Sequence, residues 1–228
     1  MSWFAVSPVE LDALRLSLWV ALVAVALSLP LAVAVAYVLA RCRFWGHGLL
    51  NALVHLPLVL PPVVTGYLLL VVFGRKGTLG PALDALGLQL AFTSSGAALA
   101  AAVMAFPLIV RAIRLALEAV DPRLEEAAGT LGASPFKVFA FVTLPLILPG
   151  LIAGGVVGFA KALGEFGATI TFVSNIPGET QTLASAIYAV LQVPGQEAAV
   201  GRMIALSLIL SFGALMLSEI LARKMVRR

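Results

Sequence analysis

The chain has 228 residues, of which 61% are hydrophobic and only 11% charged, and its mean hydropathy is +1.08. Soluble domains carry about 25% charged residues, and a soluble protein of this length could not bury so much apolar surface. The composition therefore excludes an ordinary soluble domain and indicates a membrane protein. The net charge of +4 does not indicate a nucleic-acid partner, because most of the basic residues follow the membrane topology described below.

Five apolar stretches are long enough to cross a bilayer. Because lipid offers no hydrogen-bond partners, each stretch is predicted to be an α-helix. A crossing needs roughly 20 residues, which the third stretch reaches only with its flanking residues. The stretches cover about residues 16–40, 49–73, 96–110, 141–163 and 203–222. No linker or repeat divides them, so the sequence predicts one all-α membrane domain over residues 1–228.

The distribution of basic residues predicts the orientation of the chain. Loops 41–48 and 111–140 and the C-terminal tail hold two, four and four of the fifteen Lys and Arg residues, and with five spans all three lie on one side. Lys and Arg in short loops mark the cytoplasmic side, so we expect the N-terminus outside and the C-terminus inside. The ten residues are Arg41, Arg43, Arg111, Arg114, Arg123, Lys137, Arg223, Lys224, Arg227 and Arg228.

The second stretch is rich in helix-breaking residues. The segment HLPLVLPPVVTGY contains three prolines, at 57, 61 and 62, together with Gly66. Proline lacks the backbone donor and clashes with the preceding turn, so this helix is predicted to be kinked or broken. The break has two explanations: a packing kink, or a water-filled path. In the second case His55 and Thr65 are candidate path residues, as are four serines at 94, 95, 207 and 211.

The fourth stretch combines glycines with a pair of charged residues. Gly150, Gly154 and Gly158 recur every four residues, which lets a neighbouring helix approach closely. Lys161 and Glu165 are also four residues apart and therefore share one helix face. Ionisable groups near membrane depth are costly and tend to be paired or functional. The sequence leaves two roles open for this pair: a mutual ion pair, or a direct role on the substrate path.

The segment between the fourth and fifth stretches contains two shorter features. Asn175, Pro177 and Gly178 predict a turn. Residues 183–192 are apolar but too few to span a bilayer, so a short external helix or a re-entrant segment is expected.

Residues 121–145 interrupt the apolar sequence in a loop that is expected to be cytoplasmic. Asp121 and Pro122 are typical of a helix start, and Gly132 is typical of a helix end. Ser134 and Pro135 then predict a second helix start. Within the first helix, Leu124, Ala127, Ala128 and Leu131 fall on one face. The adjacent acids Glu125 and Glu126 disfavour binding to anionic lipid; packing on the chain itself and docking in a partner's groove both stay open.

The same loop resembles the E-A-A loop of the permease subunits of ABC importers. That pattern is E-A-A, three residues, G, nine residues, then I-x-L-P. Here it is Glu126, Ala127 and Ala128, then Gly132, then Val142 in place of Ile, and finally Leu144 and Pro145. The resemblance implies the type I importer permease fold, with a cytoplasmic coupling helix that binds a separate ATPase subunit. No phosphate-binding G-x-x-x-x-G-K-[ST] motif occurs in the chain, so ATP and Mg²⁺ are expected on that partner, with no cofactor and no metal here.

Three further stretches resemble the molybdate branch of this family: residues 55–70, 106–118 and 164–180. This resemblance implies a bacterial inner-membrane protein, in which the orientation expected from the basic residues gives a periplasmic N-terminus and a cytoplasmic C-terminus. It also implies a homodimer, two copies of the ATPase subunit and a periplasmic molybdate-binding protein. Tungstate and sulfate or thiosulfate are the alternative cargoes.

Two other classes of function compete with this interpretation. A secondary transporter or anion channel would explain the broken helix and the charged pair but not the E-A-A loop. An intramembrane enzyme is disfavoured, because the sequence has neither an H-E-x-x-H motif nor paired carboxylates at membrane depth. We therefore expect a transport subunit without a catalytic site of its own.

Overall fold

The computed structural model describes residues 7–226, which form a bundle of helices without a β-strand over that range. A π-helical turn at Phe139–Thr143 joins two α-helical segments, so that Pro135–Leu163 is one continuous helix. The expected all-α fold is confirmed. The helices are α1 (Pro8–Arg41), α2 (His47–Val59), α3 (Pro62–Phe73), α4 (Gly80–Ala85), α5 (Ser94–Ala119), α6 (Pro122–Thr130), α7 (Pro135–Val138), α8 (Leu144–Leu163), α9 (Gly167–Val173), α10 (Leu183–Leu191) and α11 (Glu197–Val226).

Within the described residues, four stretches of helix are long and apolar enough to cross a membrane unaided: Pro8–Arg41, Ser94–Ala119, Pro135–Leu163 and Glu197–Met216. The predicted span 49–73 exists only as the pair α2 and α3, which is bent by 115°. The expected break is confirmed, and a straight second crossing is excluded. The cause is local: Leu60 and Pro61 each precede a proline, and the helical conformation is sterically disfavoured for such a residue. Both residues therefore adopt an extended backbone.

Three helices extend beyond their predicted bounds. Helix α1 begins at Pro8 instead of about residue 16, because Ser7 and Glu10 form a capping box. Helix α5 continues past residue 110 to Ala119, so Arg111 and Arg114 lie on a helix and not in a loop. Helix α11 begins at Glu197 instead of at about residue 203. Arg227 and Arg228, part of the predicted cytoplasmic cluster, lie outside the described residues.

The core lies where α1 and α8 pack against the central helix α5. Small residues make this contact close: alanines of α1 and α5 are fully buried. A Cβ atom on Gly158 would lie 2.5 Å from the Cδ1 atom of Ile109, and one on Gly150 would collide with the Cβ atom of Ala116. The predicted close approach at the glycine row of α8 is thus confirmed, with α5 as the partner helix.

At the end of the bundle where α1 begins, polar contacts attach α10 and α11 to α1. The Nη2 atom of Arg202 on α11 donates to Oε1 of the buried Glu10 on α1 at 2.9 Å. The N–H of Leu183 donates to Oγ of Ser17 at 2.7 Å, which attaches α10 to α1. The predicted turn at 175–178 is present, with Gly178 at φ +78°, and 183–191 forms the expected short helix.

Candidate coupling surface and substrate path

Helix α6 forms through the local signals that the sequence predicts. The side chain of Asp121 accepts a hydrogen bond from the N–H of Arg123 at 3.0 Å, and Pro122 occupies the first turn. The helix runs over Pro122–Thr130, about 14 Å in length. Gly132 then adopts φ +86°, a left-handed conformation that favours glycine. Ser134 precedes the next helix, as expected.

Helix α6 and the start of α7 present an exposed surface made of Leu124, Glu126, Ala127, Leu131 and Phe136, which we call the docking surface. None of the residues of α6 is buried. Leu124 is 49% exposed, Leu131 90% and Phe136 79%. The rest of the chain therefore leaves most of the apolar face of α6 uncovered. This face is available to a partner protein.

Glu125, next to the exposed Glu126, points the other way and fastens α6 to two membrane helices. Its carboxylate lies 3.2 Å from the Nε atom of Arg41, the last residue of α1. It also accepts a hydrogen bond at 2.8 Å from Oγ1 of Thr143, which is buried at the start of α8. Arg41 further donates to the carbonyl of Val120 at 3.2 Å. We call these three side chains the Arg41–Glu125–Thr143 cluster.

Sequence reasoning missed the role of Glu125, which it treated together with Glu126 as part of one acidic pair. No local pattern links residue 41 to residue 125, because the contact is made only by the folded chain. The cluster therefore links α6 to the end of α1 and to the start of α8.

The structure separates the predicted coupling residues into two groups. Glu126 and Ala127 are exposed on the docking surface, with Ala128 half-buried behind them and Gly132 in the turn that follows. Leu144 and Pro145 lie apart, in the first turn of α8, where Leu144 packs against the core. The π-turn precedes them, closed by a hydrogen bond from the N–H of Leu144 to the carbonyl of Phe139. π-Turns of this kind occur frequently at functional sites.

Lys161 and Glu165 form a direct ion pair, so the predicted contact is confirmed. Glu165 is buried, and its Oε1 atom also accepts a hydrogen bond from the N–H of Ala168 at 3.0 Å. The carboxylate therefore both neutralises Lys161 and caps α9. A direct role for this pair on the substrate path stays a prediction.

The remaining candidate path residues do not converge on one site. Thr65 on α3 is buried, and within the described part of the chain its hydroxyl has no hydrogen-bond partner. His55 lies on α2 beside a separate cavity of about 320 Å³. Ser94 and Ser95 begin α5, where Ser95 hydrogen-bonds with Thr93. Two serines of α11 complete the set: Ser207, half-buried, and Ser211, exposed.

The fold and the docking surface define a class of protein: a multi-pass helical membrane protein that presents a short exposed helix at one end of its bundle. The family described as binding-protein-dependent transport system inner membrane component matches residues 28–227. The chain belongs to this family. It is therefore a multi-pass inner-membrane protein and a subunit of a transport system, as the sequence predicted.

Individual relatives are similar over nearly the whole chain. The chain is 57% identical over 215 residues to the molybdenum transport system permease protein ModB of Escherichia coli (strain K12), with 94% of each chain covered. It is 55% identical over 220 residues to ModB of Haemophilus influenzae, with 96% of each covered. A probable sulfate transport system permease protein, cysT of Anthoceros angustus, is 33% identical over 210 residues, covering 92% of this chain and 73% of that one.

The fold has a solved counterpart in the MetNI methionine ABC transporter, whose structure shows inward-facing conformations. The TM-score is 0.70 at 18% identity, with 95% of this chain and 94% of that chain covered. At this identity the likeness concerns the fold alone, and it confirms the expected importer permease architecture.

Proposed function

We propose that this chain is the membrane-spanning permease subunit of an ATP-driven importer of molybdate. Two copies would form the path, a separate ATPase subunit would bind each docking surface, and a periplasmic binding protein would deliver the anion. The observation that carries the proposal is the docking surface: an exposed helix with one apolar face and the E-A-A pattern, fastened to the membrane helices by Glu125.

The substrate assignment is supported by the relatives. Those named for molybdenum transport are 55–57% identical, whereas the relative named for sulfate is 33% identical. Molybdate is a tetrahedral dianion, and an isolated charge cannot enter hydrocarbon at acceptable free energy. The path must therefore be polar and enclosed by protein. Two copies related by a two-fold axis supply such a path more readily than one bundle.

The orientation follows from the positive-inside rule applied to the folded chain. The docking surface lies at the end of the bundle where α1 ends, close to Arg41, and Arg123 and Lys137 belong to the same loop. This basic end is the cytoplasmic one, where ATP is available. The N-terminus is then periplasmic and the C-terminus cytoplasmic.

The mechanism couples ATPase closure to helix movement. When two ATPase subunits close on ATP, each displaces the α6 that it holds. The Arg41–Glu125–Thr143 cluster transmits this displacement to α1 and α8, and α8 packs directly on the central α5. The bundle then tilts as a unit, which opens the path to alternate sides of the membrane.

The proposal is tested by uptake of radiolabelled molybdate into proteoliposomes that contain the permease with its ATPase subunit and binding protein. We expect uptake that requires ATP and survives excess sulfate. Uptake quenched by sulfate would assign the chain to sulfate transport. Uptake without ATP would replace the proposal by a channel or a secondary transporter.

A further inference from the structure

The cavity beside His55 has an unusual set of lining residues for a membrane protein. It measures about 320 Å³ and lies between α2 and α5. Five of its six lining residues are polar or charged, and only one is an acid. The residues are Asn51, His55, Arg111, Arg114, Leu115 and Glu118. Groups of this kind near membrane depth are costly unless they are paired or used.

Arg114 is paired within the cavity. Its Nε atom donates to Oε1 of Glu118 at 2.7 Å, and its Nη1 atom donates to Oδ1 of Asn51 at 3.0 Å. The single acid of the cavity is therefore already committed to one arginine. The side-chain oxygen of Asn51 is occupied by the same arginine, and its backbone carbonyl contacts the ring of His55.

Arg111 supplies a charge that the cavity does not neutralise. Among the residues whose side chains the structure describes, it has neither an ion-pair partner nor a hydrogen-bond partner, and its side chain is exposed. A guanidinium presents several N–H donors in a planar fork, which matches two oxygens of a phosphate-like anion. The cavity is thus lined by one positive charge without a described partner, on a group whose chemistry suits an oxyanion.

The ring of His55 leaves one nitrogen available for the same ligand. Its Nδ1 atom lies 2.9 Å from the backbone carbonyl oxygen of Asn51. A carbonyl oxygen can only accept, so Nδ1 carries the hydrogen of this bond. No described residue hydrogen-bonds to the second nitrogen, Nε2, which becomes a donor when the ring is protonated.

The cavity also has a route towards the docking-surface end of the bundle. Arg111 lies about 12 Å along α5 from the end of that helix at Ala119. A second cavity, of about 440 Å³, shares Arg114 and Glu118 with the first. It is lined further by Cys42, Arg43 and His47 in and next to the α1–α2 loop. The two cavities follow each other along the bundle in the direction of the predicted cytoplasm.

We propose that the cavity between Arg111 and His55 binds a tetrahedral oxyanion at the ATPase-facing end of the path. This inference rests on the proposed function for its physiological ligand, which would be the transported anion on its way to the cytoplasm. A phospholipid headgroup carries the same tetrahedral chemistry and is the second possible source.

The test is equilibrium binding of radiolabelled molybdate to the permease–ATPase complex in nanodiscs, without the binding protein. The variants are Arg111→Gln, which removes the charge, and Arg111→Lys, which keeps it. The control is Arg75→Gln, which removes an exposed arginine, hydrogen-bonded to Gln89, at the opposite end of α5. We expect Arg111→Gln to weaken binding roughly tenfold, Arg111→Lys to weaken it less and Arg75→Gln to leave it unchanged.

Native mass spectrometry of the same complexes identifies the source of the anion. If Arg111→Gln loses a bound phospholipid while molybdate binding stays as in the wild type, the ligand is a lipid headgroup. If neither molybdate binding nor the bound lipid changes, the site is refuted. Similar losses in Arg111→Gln and Arg75→Gln would also refute it, because the effect would then be one of bulk charge.

The outcome is separable from that of the proposed function. Wild-type uptake of molybdate judges the transport proposal, whereas the Arg111 series judges this site. If the wild type imports molybdate and Arg111→Gln binds both ligands normally, only the site falls. If the wild type does not import molybdate, the binding series is repeated with radiolabelled sulfate, and a selective loss in Arg111→Gln would keep the oxyanion site.

Discussion

The adjacent residues Glu125 and Glu126 offer a matched pair of substitutions whose expected effects on stability differ in size. Glu125→Ala removes the ion pair with Arg41 and the hydrogen bond from Thr143. Glu126→Ala removes a side chain that is exposed on the docking surface. The two changes are identical in chemistry and differ only in the direction in which each side chain points.

The size of the Glu125 effect follows from its contacts. A hydrogen bond to a charged group contributes about 1.5–3 kcal/mol. The side chains of Arg41 and Glu125 are 17% and 18% exposed, so this ion pair is intermediate between a surface ion pair and a buried one. We expect a loss of about 2 kcal/mol, or a Tm lower by about 4–8 °C for a chain of this size. Glu126→Ala should stay within about 0.5 kcal/mol of the wild type.

The assay is thermal unfolding of the full chain purified in detergent, followed by tryptophan fluorescence. A double-mutant cycle with Arg41→Met then measures the coupling between Arg41 and Glu125, which we expect to be positive. Equal Tm shifts for Glu125→Ala and Glu126→Ala, or a coupling energy of zero, would refute the assignment of Glu125 as the inward-facing anchor.

Two further predictions concern the packing and charge of α8. Gly158→Leu should lower stability by about 1–3 kcal/mol or more, measured as Tm, because the new side chain would collide with Ile109. The control is Gly213→Ala, at a position with open space around it. Equal Tm shifts for the two variants would contradict the close packing of α8 on α5. Lys161→Met should lower Tm and the yield of folded protein by leaving the buried Glu165 unpaired, while Lys161→Arg should restore most of the loss. Exchanging the two charges should not restore it, because an ammonium group at position 165 could not accept the N–H of Ala168; full recovery on exchange would show that the capping of α9 is unimportant.

The features that sequence predicted correctly are those fixed by local chemistry. Asp121, Pro122 and Gly132 determine the ends of α6 through caps and backbone preference, and Pro61 and Pro62 determine the break between α2 and α3. The start of α1 was predicted too late, because the apolar run begins several residues after the true start. The S-x-x-E pattern of Ser7 and Glu10 marks that start.

The features that sequence could not predict depend on contacts between distant residues. Glu125 meets Arg41, and Arg114 meets Asn51, only after four helices have packed. The sequence placed Arg111 and Arg114 in a loop, because two arginines interrupt the apolar run there; the structure places them on α5 beside His55. Counting the charges of each loop could therefore not predict the cavity.

The central claim is that the exposed α6 is the contact through which an ATPase drives this bundle. In a Cys42→Ser background, Ala127→Cys places a single thiol on the docking surface, and Leu86→Cys places one at the opposite, exposed end of the bundle. A photoactivatable benzophenone attached to each thiol reports its neighbours in the assembled transporter. We predict that the probe at residue 127 crosslinks to the ATPase subunit, with a yield that changes on ATP binding, and that the probe at residue 86 does not. An assembled complex in which residue 127 fails to crosslink to the ATPase would contradict the account.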